Sequence, residues 1–197
     1  MLFRSKAGAK SEAMQHFQRA LELNPRSARV VNNLGNALLD QGRADEALQQ
    51  FRKAIALDPE SVQARSNCGY ALAKLGDARG AEREYREAIA LDPQQPAVRR
   101  NLGTLLGELH RPVEAREQFE AAARLDPRDV VSRRNLGSIL AQQGKLSDAC
   151  RAFEEALAVD PSDAATQALL GRAYSALGKT PEAISAYRAA LAVEPER

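Results

Sequence analysis

Apolar and small residues recur along this 197-residue chain with the three-to-four-residue spacing of amphipathic helices. At residues 31–38, Val31, Leu34, Gly35 and Leu38 fall on one side of a helix when each residue is turned by about 100°. Polar residues stand between them. Similar segments return every 34 residues, so the pattern predicts a series of like helices.

Prolines mark the period of this repeat. They stand 34 residues apart, at Pro25, Pro59, Pro93, Pro127, Pro161 and Pro195. Proline ends a helix, so we number each repeat to place it at position 32, after the second of two helices. We expect helix A at about positions 1–14 and helix B at about positions 18–31. The predicted units are a truncated repeat at 1–27, with part of helix A and a whole helix B, and full repeats at 28–61, 62–95, 96–129, 130–163 and 164–197.

Small and aromatic residues hold fixed positions in the repeat. Positions 20 and 27 are alanine in every unit, starting with Ala13, and position 15 is glycine from Gly8 onward except at His110. Small residues let helices approach closely, aromatic rings fill the space between them, and position 15 suits a left-handed helix end, which His can adopt. Position 8 is Gly35, Gly69, Gly103, Gly137 and Gly171, and position 24 is Phe17, Phe51, Tyr85, Phe119, Phe153 and Tyr187.

This pattern resembles the tetratricopeptide repeat (TPR) and covers nearly the whole chain. It departs from that family at position 4, where Trp is frequent; here stand Val31, Arg65, Arg99, Arg133 and Gln167. The resemblance implies an all-α fold, a right-handed α-solenoid of antiparallel helix pairs. It also implies that helices A line a concave face on which peptides commonly bind.

Asparagine occupies position 6 in four consecutive repeats, at Asn33, Asn67, Asn101 and Asn135, before Leu169 breaks the series. Position 6 lies about 160° from the apolar side of helix A and faces away from helix B. Asn disfavours helix interiors but offers a donor and an acceptor, as a peptide unit does. We therefore expect these side chains to hold the backbone of an extended ligand; a solvated face, or pairing between helices, remains the alternative. The four residues resemble the Asn ladder in the TPR region of O-linked N-acetylglucosamine transferase.

Positions 5 and 9 flank this ladder and extend the predicted peptide-binding surface. The residues assigned to it there are Asn32, Asn36, Tyr70, Arg100, Arg134 and Arg172. The arginines favour an acidic ligand toward the C-terminal half, although a solvated helix face would also carry them. The carboxylate clamp of TPR co-chaperones is not expected, because its cations are missing; Asn32 and Ala97, for example, replace two lysines.

The composition limits the classes of partner that we expect for this chain. The chain has 28 basic and 26 acidic residues interspersed, so we expect neither a nucleic-acid surface nor an anionic-membrane surface. No apolar run approaches the ~20 residues of a membrane span, and residues 1–15 lack the apolar core of a signal peptide, which favours a cytoplasmic protein. Cys68 and Cys150 are expected to pack as small apolar residues.

Catalytic motifs are not recognisable. Residues 178–180 read Gly-Lys-Thr, but Ala173 stands where a phosphate-binding loop needs its first glycine. We predict a non-enzymatic module without cofactor or metal that binds a protein or peptide ligand.

Two alternatives stay open. The chain could recruit substrates for a larger, glycosyltransferase-like enzyme. It could also be a scaffold that associates end to end, since the last helix B carries Ile184, Tyr187 and Leu191, which a following helix A would cover.

Overall fold

The computed structural model describes residues 14–193. Gly8, Ala13, Pro195 and the partial helix A expected near the N-terminus lie outside the described residues. Within them every regular element is an α-helix, which confirms the predicted all-α class.

The described helices keep the 34-residue period. Helix α1 occupies 14–23 as far as it is described. The helices A are α2 (Ala28–Leu39), α4 (Val62–Lys74), α6 (Pro96–Glu108), α8 (Val130–Gln142) and α10 (Ala164–Ala176). The helices B are α3 (Ala44–Leu57), α5 (Ala78–Leu91), α7 (Pro112–Leu125), α9 (Leu146–Val159) and α11 (Thr180–Val193). Every described helix A thus begins at position 1, as predicted, whereas helix B begins one residue earlier than expected.

Position 34 caps the following helix A. The side chains of Ser27, Ser61, Asp129 and Asp163 each accept a hydrogen bond from the backbone N–H three residues on, at 3.1–3.4 Å. This satisfies one of the N–H groups that a helix start leaves unpaired. Position 15 ends helix A in the left-handed conformation, and His110 adopts it as expected, with a φ of 56°.

The chain divides into two compact units, Met1–Pro93 and Gln94–Arg197. In the first unit, α2 packs on α3, α3 on α4 and α4 on α5, and α2 also touches α4. In the second unit, α6 to α11 pack in chain order, and α8 touches both α6 and α10. Consecutive helices A are therefore neighbours within each unit.

The aromatic residue of helix B fills the space beside helix A. Phe51 and Phe153 are 0% and 1% exposed. A Cβ atom added to Gly35 or Gly137 would lie 2.5 Å from the facing ring, so these positions admit only glycine without displacing the ring. The glycine of position 8 and the aromatic residue of position 24 thus form the core in both units. Tyr187, in α11, is 37% exposed, and Phe17, in α1, is also only partly buried.

At position 4, where the TPR family often has Trp, three repeats carry a polar side chain that bonds to the preceding turn. The side chains of Arg65, Arg133 and Gln167 reach back and donate hydrogen bonds to the carbonyl of the proline six residues earlier, at 3.1, 2.5 and 3.4 Å. Arg65 also forms an ion pair with Glu84 of helix α5, at 3.2 Å. Long polar side chains therefore tie helix A to the preceding turn.

Candidate functional site: clefts between consecutive helices A

In the first unit a cleft of about 620 Å³ lies beside α2 and α4; we call it the α2–α4 cleft. Asn36, Asn67 and Tyr70, three of the predicted ligand-binding residues, line it together with Lys74. The Lys74 ammonium lies 5.4 Å from the centre of the Tyr70 ring, within the range of a cation–π interaction. The cleft therefore combines amide, aromatic and cationic groups.

In the second unit two clefts occupy the equivalent places. The α6–α8 cleft, of about 270 Å³, is lined by Thr104, Glu108 and Asn135. The α8–α10 cleft, of about 410 Å³, is lined by Leu169 and Arg172. Ser138 and Gln142 border both, so the two clefts are contiguous along α8.

Asn32 and Asn67 bond to each other. Asn67 donates from Nδ2 to Oδ1 of Asn32 at 2.9 Å, and its own Oδ1 accepts from Gln63 at the same distance. Asn32 is only 6% exposed, so its amide joins α2 to α4, and the ligand contact predicted for it does not fit its burial. Asn67 keeps one N–H and one lone pair for a ligand. At this position the pairing alternative from the sequence is realised.

The other ladder residues are uncommitted. The side-chain amides of Asn33, Asn101 and Asn135 form no hydrogen bond with the part of the chain that is described, and none of the three is buried. Their donors and acceptors are therefore available to a ligand.

Arg100 and Arg134 form ion pairs within the second unit. Each guanidinium donates to the position-34 aspartate of its own repeat, Asp129 or Asp163, at 2.8 Å. These aspartates cap the next helix A and accept at 2.6 Å from the hydroxyls of Ser132 and Thr166. The positive charge that the sequence assigns to the two arginines is thus largely neutralised by partners in the fold.

These contacts change the pKa of the Asp163 carboxyl. Burial pushes the pKa of its carboxyl upward, but hydrogen bonds from Thr166 and the charge of Arg134 outweigh burial and lower that pKa. The carboxylate therefore stays charged and remains an acceptor for Arg134 near neutral pH.

Arg172 differs from the other two arginines. It is exposed and has no ion-pair or hydrogen-bond partner among residues 14–193. It therefore brings its full charge to the α8–α10 cleft.

Position 13 was not singled out by the sequence, yet it supplies Lys74, Glu108 and Gln142 to the clefts. It lies seven residues after position 6, nearly two helical turns, and therefore shares the face of the Asn ladder. This seven-residue spacing is the sequence signal that could have assigned position 13 to the site.

The two thiols lie in the interior, as expected for packing residues. Cys68 is 1% exposed, and burial raises its pKa to about 12. Burial also raises the pKa of Cys150. Neither thiol is activated as a nucleophile. Among the described residues no cluster of three potential metal ligands occurs, and none of their helices has both the length and the apolar character needed to cross a membrane.

Repeated helix pairs with a glycine–aromatic core and clefts between consecutive helices A define a tetratricopeptide repeat protein. A family model described as the cilia and flagella-associated protein 70 C-terminal domain matches residues 3–196, and the chain belongs to that family. No curated protein is similar enough in sequence to match it.

Solved structures share the fold. YrrB, described as a TPR protein with an unusual peptide-binding site, is 24% identical over 92% of this chain and 93% of that chain, with a TM-score of 0.73. PilF of Pseudomonas aeruginosa is 22% identical over 96% of this chain and 80% of its own, with a TM-score of 0.79. MamA is 21% identical over 83% and 95%, with a TM-score of 0.76. At these identities the likeness establishes the fold.

Proposed function

We propose that this protein is a non-catalytic interaction module that binds extended peptide segments along the helices A of each compact unit. The module comprises the truncated repeat 1–27 and the five full repeats. The observation that carries the proposal is the recurrence of a position-6 asparagine in corresponding clefts. Asn67 lines the α2–α4 cleft, and Asn135 lines the α6–α8 cleft.

The geometry suits a peptide backbone. Packed helices lie about 8–10 Å apart, and an extended chain rises about 3.3 Å per residue, so one asparagine meets roughly every third peptide unit. An amide offers that unit both a donor and an acceptor. The description of YrrB as peptide-binding supports the same use of a TPR surface. In this proposal the protein works in the cytoplasm, catalyses no reaction and does not bind nucleic acid.

The test uses the uncommitted amides of the second unit. An array of acetylated, amidated peptides of varied sequence is probed with the full chain and with an Asn101→Ala, Asn135→Ala double variant. Each backbone hydrogen bond is worth about 0.5–1.5 kcal/mol, so the double variant should bind roughly 5- to 150-fold more weakly. The loss should be similar for every peptide because the contacts involve backbone.

Gln49→Ala removes an exposed amide from a helix B and serves as the control. The fold should persist in all variants, because Ala favours helix more than Asn does. Wild-type affinity in a folded double variant would refute the proposal.

Self-association is a second candidate, favoured by an exposed apolar face on α11. Ile184 and Leu191 are 47% and 56% exposed. In sedimentation across a concentration series, serine at both positions should lower the apparent mass of any assembly. Val113→Ser, at a residue that is also 56% exposed, is the matched control. A chain that stays monomeric throughout would exclude this candidate.

A further inference from the structure

The α8–α10 cleft differs from the other two at the ladder position. Leu169 stands where the preceding four repeats have asparagine, and it packs against the buried core of the second unit. Ala141, Leu146, Ala173 and Ala176 add further apolar lining, in a space of about 410 Å³. This cleft therefore cannot grip a peptide backbone through a position-6 amide. It offers an apolar surface that would hold a side chain instead.

The rim of this cleft carries a free cation. Arg172 has no partner in the described part of the chain, whereas Arg134, on the neighbouring helix, is bound to Asp163 at 2.8 Å. The Gln142 amide lies on the same rim. The hydroxyl of Ser138 donates to the carbonyl of Arg134 at 3.0 Å and is left mainly as an acceptor. The group best matched to this rim is a carboxylate held by Arg172.

The adjoining α6–α8 cleft has the opposite charge. Glu108 lines it and has no partner within residues 14–193. A carboxylate there would be repelled, so an acidic residue of a peptide lying across both clefts is directed toward α10. The charges of the two clefts thus orient the ligand.

We propose that the α8–α10 cleft is a specificity pocket that takes an apolar side chain adjacent to an Asp or Glu in an extended peptide. This assignment rests on the proposed function, because it requires the peptide to lie along the helices A. A side-chain carboxylate fits better than a chain-terminal one, since a single free cation faces the pocket among the described residues. The co-chaperone clamp for a terminus uses several cations.

The test compares octapeptide probes of Gly and Ser with the central sequence Glu-Leu-Glu, Gln-Leu-Gln or Glu-Ala-Glu, all acetylated and amidated. Affinity is read from backbone amide shifts of α8 and α10 in the isotope-labelled full chain. Gln-Leu-Gln should bind about two- to fivefold more weakly than Glu-Leu-Glu, as expected for an exposed ion pair. Glu-Ala-Glu should bind about tenfold more weakly through lost apolar burial.

The variants assign each difference to a residue. Arg172→Gln should abolish the preference for Glu over Gln, whereas Arg188→Gln, at an exposed cation of α11 outside the clefts, should leave it intact. Leu169→Asn restores the residue of the other repeats and should reduce the preference for Leu over Ala.

The outcomes separate this proposal from the one on which it rests. Equal binding of the three probes, with a uniform loss in Asn135→Ala, would overturn the pocket and leave the backbone ladder standing. Probes that shift no amide of α8 or α10 would overturn both. A Gly-Ser peptide that ends in Leu with a free carboxylate could bind more tightly than the Glu-Leu-Glu probe. That result would overturn the choice of a side-chain acid.

Discussion

The two units join consecutive helices A with different chemistry. In the first unit a neutral amide pair, Asn32 and Asn67, connects α2 to α4 at 2.9 Å. In the second, an ion pair connects each helix A to the cap of the next, as Arg134 does with Asp163 at 2.8 Å. Both junctions begin at position 5 of the repeat. The core beneath them is the same, so the repeat fixes the packing and leaves the junction free to vary.

The difference determines which groups remain for a ligand. The amide junction uses part of Asn67 and leaves Lys74 facing the cleft. The ionic junctions use two arginines, and the ladder amides of the second unit have no hydrogen-bond partner within the described range 14–193. Charge counted from the sequence therefore overstates the basicity of the C-terminal groove. Among residues 14–193, Arg172 is the predicted groove arginine that keeps no ion-pair or hydrogen-bond partner.

The largest effects should come from the shared core, and they should be equal in the two units. Phe51→Ala and Phe153→Ala each remove a ring that is at most 1% exposed, and each should lower the free energy of unfolding by about 3–5 kcal/mol in urea titrations. Tyr187→Ala, at the same repeat position but 37% exposed, should cost clearly less. A large difference between the two Phe variants would show that the units do not share one packing scheme.

This core could be predicted from the sequence because its signals are local and repeated. Each proline at position 32 and each pair such as Gly137 and Phe153 follows from single-position preferences that recur every 34 residues. The starts of the helices A and the left-handed His110 were accordingly anticipated.

The junctions could not be predicted in the same way. The bond from Arg134 to Asp163 joins residues 29 positions apart and depends on how two helices are rotated. The joint appearance of Arg at position 5 and Asp at position 34 was visible in two repeats. Without the geometry it could not be distinguished from two independent preferences.

Removing a cap at a junction should have the next largest effect, and the loss of stability should differ between the two units. Asp163→Ala deletes a helix cap, the bond from the Thr166 hydroxyl and the ion pair with Arg134, and should cost about 2–3 kcal/mol of unfolding free energy. Ser61→Ala deletes only a cap in the first unit and should cost about 1 kcal/mol. Equal losses in urea titrations would mean that the ion pair and the Thr166 bond together add nothing to the stability of the junction.

A smaller effect distinguishes the asparagines. Asn67→Ala leaves the buried Asn32 oxygen without its donor and should destabilise the chain by about 1–2 kcal/mol. Asn101→Ala breaks no bond seen in the described structure and should be neutral or stabilising by about half a kcal/mol. Thermal unfolding of the two variants checks this. A destabilised Asn101→Ala would place that residue in the structure rather than in the ligand surface.

The smallest effect is a pH dependence at the junction between Arg134 and Asp163. The pKa of Asp163 is lowered in the folded protein relative to the unfolded chain, where a value of about 3.9 is usual. The folded state therefore binds this proton less readily than the unfolded state does. The stabilisation is complete above about pH 5 and is lost as the pH falls below about 4, through the folded pKa.

The measurement is the difference in unfolding free energy between the wild type and Asp163→Asn, followed from neutral to acid pH. It should stay constant near neutrality and shrink in acid, because the wild-type side chain then becomes neutral as well. The corresponding difference for Ser61→Ala should not change with pH, since a hydroxyl does not titrate in this range. An Asp163→Asn difference that persists undiminished below about pH 3 would show that the charge of this carboxylate does not hold the junction together, and the contrast between the units would then reduce to hydrogen bonding alone.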